Sequence, residues 1–166
     1  MTLAALLLLT AILPAGERPV VYRSRLCGVE FTYPPGWKVR QMEHCNFEVT
    51  VKIQPTADPK CPLRSWASIE VKKRGLDPAL AASIWSTEGA DAVRGRTWEG
   101  RTSSISTRCH PRDFPKCVDY PSVQCDVRVA IIGNASKSAE INDEGGMDDA
   151  DFASVLQGIA FLGPQR

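Results

Sequence analysis

Six cysteines carry most of the reactive chemistry in this chain: Cys27, Cys45, Cys61, Cys109, Cys117 and Cys125. Thiols can bridge, hold zinc or attack a substrate, and spacing separates these uses. No two of the six form the short C-x-x-C pair of a zinc site, and the two histidines, His44 and His110, are not paired at helical spacing. Each histidine adjoins a cysteine, and adjacent residues in extended chain point to opposite faces. No metal or other cofactor is therefore expected. A nucleophile needs a base within hydrogen-bond reach, but there is no G-x-S-x-G elbow, and both histidines sit beside cysteines that read as bridge halves. The run "EINDEGGMDDAD" gathers Glu140, Asp143, Glu144, Asp148, Asp149 and Asp151. Its spacing does not match the D-x-D-x-D-G loop that presents alternating oxygens to calcium, and carboxylates occupy the places where a phosphate cradle would need bare N–H groups. No residue is expected to be catalytic.

Charge adds little. The formal net charge is +1, which favours no class of partner. Arg94, Arg96, Arg101 and Arg108 surround Trp98, the one arrangement that suggests an anionic ligand or nucleic acid. A solvated face explains such a run more simply, and nucleic acid is not an expected partner.

An even cysteine set reads as disulfides in an oxidising compartment. The start of the chain agrees: "MTLAALLLLTAILPAG" has no charged side chain and is too short to span a bilayer as a mature helix, which takes about 20 apolar residues. Residues 1–16 read as a signal peptide and residues 17–166 as a single domain, secreted or periplasmic, with no stable membrane span after cleavage. Among the bridges, Cys27 shares parity with Val29, Phe31 and Tyr33, and Cys45 with Phe47, Val49 and Val51. Folding back about Gly36 sets Cys27 opposite Cys45, the first expected pair. Cys109 with Cys117, enclosing "HPRDFPK", is the second, and Cys61 with Cys125 is what remains.

Strands dominate the rest. Residues 47–53 and 67–71 alternate apolar with polar, and Val123, Cys125, Val127, Val129 and Ile131 alternate without interruption. "VRGRTWEGRTSSIS" reads as a hairpin turning near Glu99 and Gly100. Asp77 as N-cap and Pro78 as first residue open a short helix whose stripe is Leu80, Ala81, Ile84 and Trp85, closed by Gly89. A last helix, capped by Asp148 or Asp149, carries Phe152, Val155, Leu156 and Ile159.

The strand ending in "FTYPPGW", the following "KVR", the mid-chain helix and the terminal helix running into "VLQGIAF" together resemble the PsbP and Mog family of small exported proteins. The resemblance runs loosely from Val29 to Phe161, and its motifs lie at the two ends. It implies an α+β fold, an α/β/α sandwich with a central antiparallel β-sheet flanked by helices, here stapled by disulfides. It also implies an accessory or binding protein rather than an enzyme, and it carries neither photosynthetic nor transport function to this chain. The expectation is an exported non-catalytic binding or accessory protein whose partner is a protein or envelope component. A secreted hydrolase with an unrecognised site, and an anionic-ligand binder, are the alternatives. The candidate binding surface is the proline-closed loop with His110, Arg112, Asp113, Phe114 and Lys116, because a constrained loop has already lost part of its ordering entropy.

Overall fold

A computed structural model describes residues 18–54, 57–83, 90–109, 117 and 121–163. The expected signal peptide, residues 84–89 of the first helix stripe, and the loop residues His110, Arg112, Asp113, Phe114 and Lys116 lie outside the described residues. The chain forms β1 (Val20–Ser24), β2 (Val29–Tyr33), β3 (Lys38–Gln41), β4 (Asn46–Gln54), β5 (Leu63–Lys72), α1 (Leu76–Ala81), β6 (Asp91–Arg94), β7 (Glu99–Cys109), β8 (Val123–Gly133), β9 (Ser138–Asp143), α2 (Asp149–Gln157) and β10 (Ile159–Phe161).

The strands make two antiparallel sheets, one of three strands in the order β1-β2-β10 and one of seven in the order β3-β4-β5-β9-β8-β7-β6. The expected α/β/α sandwich is overturned. The apolar face of the large sheet is covered by the small sheet together with α2, so sheet lies against sheet instead of helices flanking a central sheet. Phe31 of β2 meets Phe47 of β4 with ring centroids 4.9 Å apart, and Val29, Tyr33, Val49, Ala67, Ile69, Ile132, Ile141, Phe152, Val155 and Ile159 complete one buried cluster. Burying each large apolar side chain there contributes about 1.5–3 kcal/mol.

"FTYPPGW" is a corner, not a hairpin. β2 pairs with β1 and β10, while β3 pairs with β4, Lys38 opposite Thr50. The two prolines withhold ladder donors, and Gly36 at φ 87° takes the left-handed turn that carries the chain from one sheet to the other. Tyr33 and Trp37 still pack ring to ring, 5.1 Å between centroids, one on each side of the corner.

Cys27 bonds to Cys45 across a Cα–Cα distance of 5.6 Å. This is the pair that parity selected, but the bridge does not cross a hairpin. Cys27 lies in the turn between β1 and β2, and Cys45 in the turn between β3 and β4, so the bond fastens one sheet to the other. The second bond joins Cys61 to Cys117 with Cα atoms 5.5 Å apart, which overturns both remaining expectations, Cys109 with Cys117 and Cys61 with Cys125. Cys61 leads into β5, so this bond anchors Cys117 to the start of a central strand instead of closing a small loop on itself. Cys125 is disulfide-bonded as well, and no described cysteine is free.

Other expectations move by a few residues. Gly75, not Asp77, is the N-cap of α1 and offers no side-chain bond, while Asp148 caps α2 as expected by accepting from the Asp151 N–H at 2.8 Å. The β6–β7 turn is centred on residues 95–98, with Arg94 opposite Glu99. Ile159, expected on the helix, begins β10. β8 is a strand, but its regular stripe is not the one facing the other sheet: Ala130 and Ile132, opposite Ile141 and Ala139, join the main core, and Val127, Val129 and Ile131 are buried on the opposite face.

Candidate functional site

The acidic segment is where titratable groups concentrate, and the fold divides it between a strand, a turn and a helix start. Glu140 and Asp143 belong to β9, and Asp148 to Asp151 open α2. Asp143 turns inward, 3% exposed, and accepts from the Gly145 N–H at 3.1 Å and the Met147 N–H at 3.0 Å. Its carboxylate thus stands in for a missing ladder partner and holds the reversal from β9 to α2, where Gly146 takes φ 63°. Burial raises the pKa of Asp143, and the backbone N–H groups and Arg128 oppose that shift without cancelling it.

Around it the remaining carboxylates are engaged. Arg128 of β8 donates to the Met147 carbonyl at 2.8 Å, lies 4.0 Å from Asp143 and pairs with Asp149. Lys52 of β4 contacts Asp151 at 2.6 Å and Asp148 at 3.4 Å. The Asp148 pKa is lowered, first by the Asp151 N–H that it caps and then by Lys52. Lys72 bridges Glu70 and Glu140 at 2.7 and 3.2 Å, and Ser68 donates to Glu144 at 2.7 Å. Among the described residues no group of three or more His, Cys, Asp or Glu side chains could hold a metal ion. Lys52 and Arg128 tie α2 to β4 and β8, while Lys72 and Ser68 tie β5 to β9 and to the turn that follows it.

The basic run is dispersed as well. Trp98, expected at its centre, is 4% exposed, and its indole N–H donates to the Ile159 carbonyl at 2.8 Å. An indole held this way cannot stack on a base. Arg94 faces Glu99 at 3.5 Å. A cleft of about 550 Å³ runs beside them, lined by Leu76, Leu80, Ala92, Arg94, Glu99 and Arg101 among others. Leu76 and Leu80, one helical turn apart on α1, give it an apolar wall, and two arginines with Glu99 and Asp77 give it a mixed rim. His44 is exposed in the β3–β4 turn at φ 54°, and its imidazole makes no hydrogen bond or ion pair among the described residues.

The contact that sequence reasoning missed is at the rim of the small sheet. Thr97 Oγ1 accepts from the Phe161 N–H at 2.9 Å, and the Trp98 indole donates to the Ile159 carbonyl, so one outward donor and one outward acceptor of β10 are met. The only sequence signal was an adjacent hydroxyl and indole, "TW", in a tight turn, and that signal does not name its partner strand.

No family model and no curated protein matches this chain. Among solved structures, a crystal structure of a protein from Bacteroides thetaiotaomicron is similar, with a TM-score of 0.56 and 13% identity. The match covers 82% of this chain and 46% of the other, so the chain spans less than half the length of that protein. At this identity the likeness shows the fold alone. No helix among the described residues is long and apolar enough to cross a membrane.

Proposed function

We propose that the protein acts outside the cytoplasm as a non-catalytic binding or accessory module. The observation that carries this reading is the use made of the acidic segment. Asp143 braces its own turn, Asp148 caps α2, and Asp149 and Asp151 are paired with cations from two strands. Charges committed in this way stiffen a surface and are poorly placed to cycle protons. The inter-sheet bond between Cys27 and Cys45 supports the compartment, because such bonds persist where thiols are not kept reduced.

Two measurements test the reading. Alkylation of intact cells before lysis is expected to leave Cys27 and Cys45 unlabelled, and labelling of both as free thiols would overturn the extracytoplasmic assignment. The oxidised full chain, screened against ester, phosphate and glycoside substrates, is expected to show no turnover above that of an Asp151→Asn variant. Turnover that the variant abolishes would make the protein an enzyme.

A further inference from the structure

Antiparallel strands point the backbone groups of alternate residues to opposite sides, so one known bond fixes the whole strand. The Thr32 N–H donates to the Gly158 carbonyl, and the Leu162 N–H donates to the Gly28 carbonyl. The even residues of β2 therefore face β10, and Val29, Phe31 and Tyr33 face β1. Their partners Ser24, Tyr22 and Val20 complete that ladder, which leaves the N–H and C=O of Val21 and Arg23 directed away from the sheet. On the far side of the same sheet the outward Phe161 N–H and Ile159 carbonyl of β10 are occupied by Thr97 and Trp98. At the β6 edge of the large sheet, the Arg94 carbonyl is taken by the Gln157 amide at 3.1 Å. β1 is five residues long, the longest edge strand of either sheet, and it has no bulge and no internal proline or glycine. Val21 is 58% exposed and Leu26, just past the strand, 74% exposed.

An unblunted edge is a template for another strand, and the charges around this one select its occupant. Arg18 and Arg25 bracket β1 without a carboxylate partner among the described residues, and Arg23 lies between them, paired with Glu30. A second copy would bring arginines against arginines. Resting on the binding role proposed above, we infer that the β1 edge takes up an extended acidic segment of a partner protein as an added strand. The ladder supplies attraction through Val21 and Arg23, and Arg18 and Arg25 select carboxylates that flank the added strand.

The probes are two synthetic peptides, one alternating Glu with Val and one alternating Lys with Val, titrated against the oxidised full chain. The acidic peptide is expected to bind severalfold tighter than the basic one, and less tightly as salt rises. Val21→Pro removes an outward N–H while sparing the β1–β2 ladder, as Pro19 already does at the same parity, and is expected to weaken binding about fivefold. Arg18→Glu combined with Arg25→Glu, which leaves the strand itself untouched, is expected to reverse the preference between the peptides. No binding of the acidic peptide, equal binding of both, or an unchanged preference in the charge-reversed protein would overturn the inference. So would concentration-dependent dimerisation that Val21→Pro removes, since the occupant would then be a second copy. A failure here leaves the thiol and turnover results of the preceding section standing, so the two readings fail separately.

Discussion

The two rims of the three-stranded sheet face opposite fates. At β10, a three-residue strand has one outward donor met by the Thr97 hydroxyl and one outward acceptor met by the Trp98 indole. At β1, a longer strand offers Val21 and Arg23 to solvent, guarded only by charge. The difference teaches that a fold can close one edge with side chains from a neighbouring turn and leave the other for recognition. What blocks an edge is the supply of a donor and an acceptor at strand spacing, which any loop can provide.

The contrast is sharpest in amide exchange. The Phe161 N–H is expected to exchange ~1000-fold more slowly than those of Val21 and Arg23, since it is bonded and lies in a strand flanking the core. Equal rates would erase the distinction. Trp98→Ala removes a buried indole and strands the Ile159 carbonyl, and is expected to cost about 3–5 kcal/mol in urea unfolding. The same variant should speed exchange at β10 while leaving Val21 as it was. Replacing both Cys27 and Cys45 with serine releases the turn that anchors β1. It is expected to cost about 3 kcal/mol, as closing a loop with a sequence separation of 18 implies, and to loosen β1 more than β10. Thr97→Val, nearly isosteric, removes a single acceptor from the β10 rim and is expected to cost about 1 kcal/mol.

The smallest effect is a slope. β10 is reached through α2, whose start is held by Asp143. Because burial raises its folded-state pKa above the unfolded value, the folded chain binds that proton more tightly. The corresponding stability is present in acid and is lost as pH rises through the folded pKa. Asp143→Asn is therefore expected to gain on the wild type in melting temperature from about pH 4 upward. Asp148 has the opposite sign: its lowered pKa gives stability that is lost as pH falls, so Asp148→Asn should flatten the acid limb instead.

Sequence pattern located the strands it could see by alternation. β4, β5 and β8 lie where they were expected, and Asp148 caps α2, because those signals are local. Assembly into sheets is not local. Parity chose Cys27 and Cys45 through an imagined hairpin, and the same parity holds because both residues point into the space between two sheets. In β8, alternation was complete, yet both faces of the strand are buried, so the pattern could not say which stripe meets the other sheet. Ile159 fell at helical spacing with Phe152 and Leu156, which hid the start of a strand only three residues long. β1 and β9 have too few apolar alternations to stand out, and β9 lies within the acidic run that drew the chemical reading. The motifs at the two ends are corner and helix-stop features that more than one sandwich can use, so they do not dictate helices on both faces of a central sheet.

β2 has one neighbour close by in the chain, β1, and one far away, β10. A polypeptide emerging amino end first can zip β1 to β2 at once, but β2 keeps a bare flank until Ile159 to Phe161 arrive. The three residue pairs between β2 and β10 are thus the last to be made, and they span nearly the whole described chain. Such long-range closure makes folding slow relative to a hairpin-rich domain of similar length. Until it happens, the molecule has two open rims where the finished one has a single recognition edge, so the final strand also decides when β1 alone is on offer.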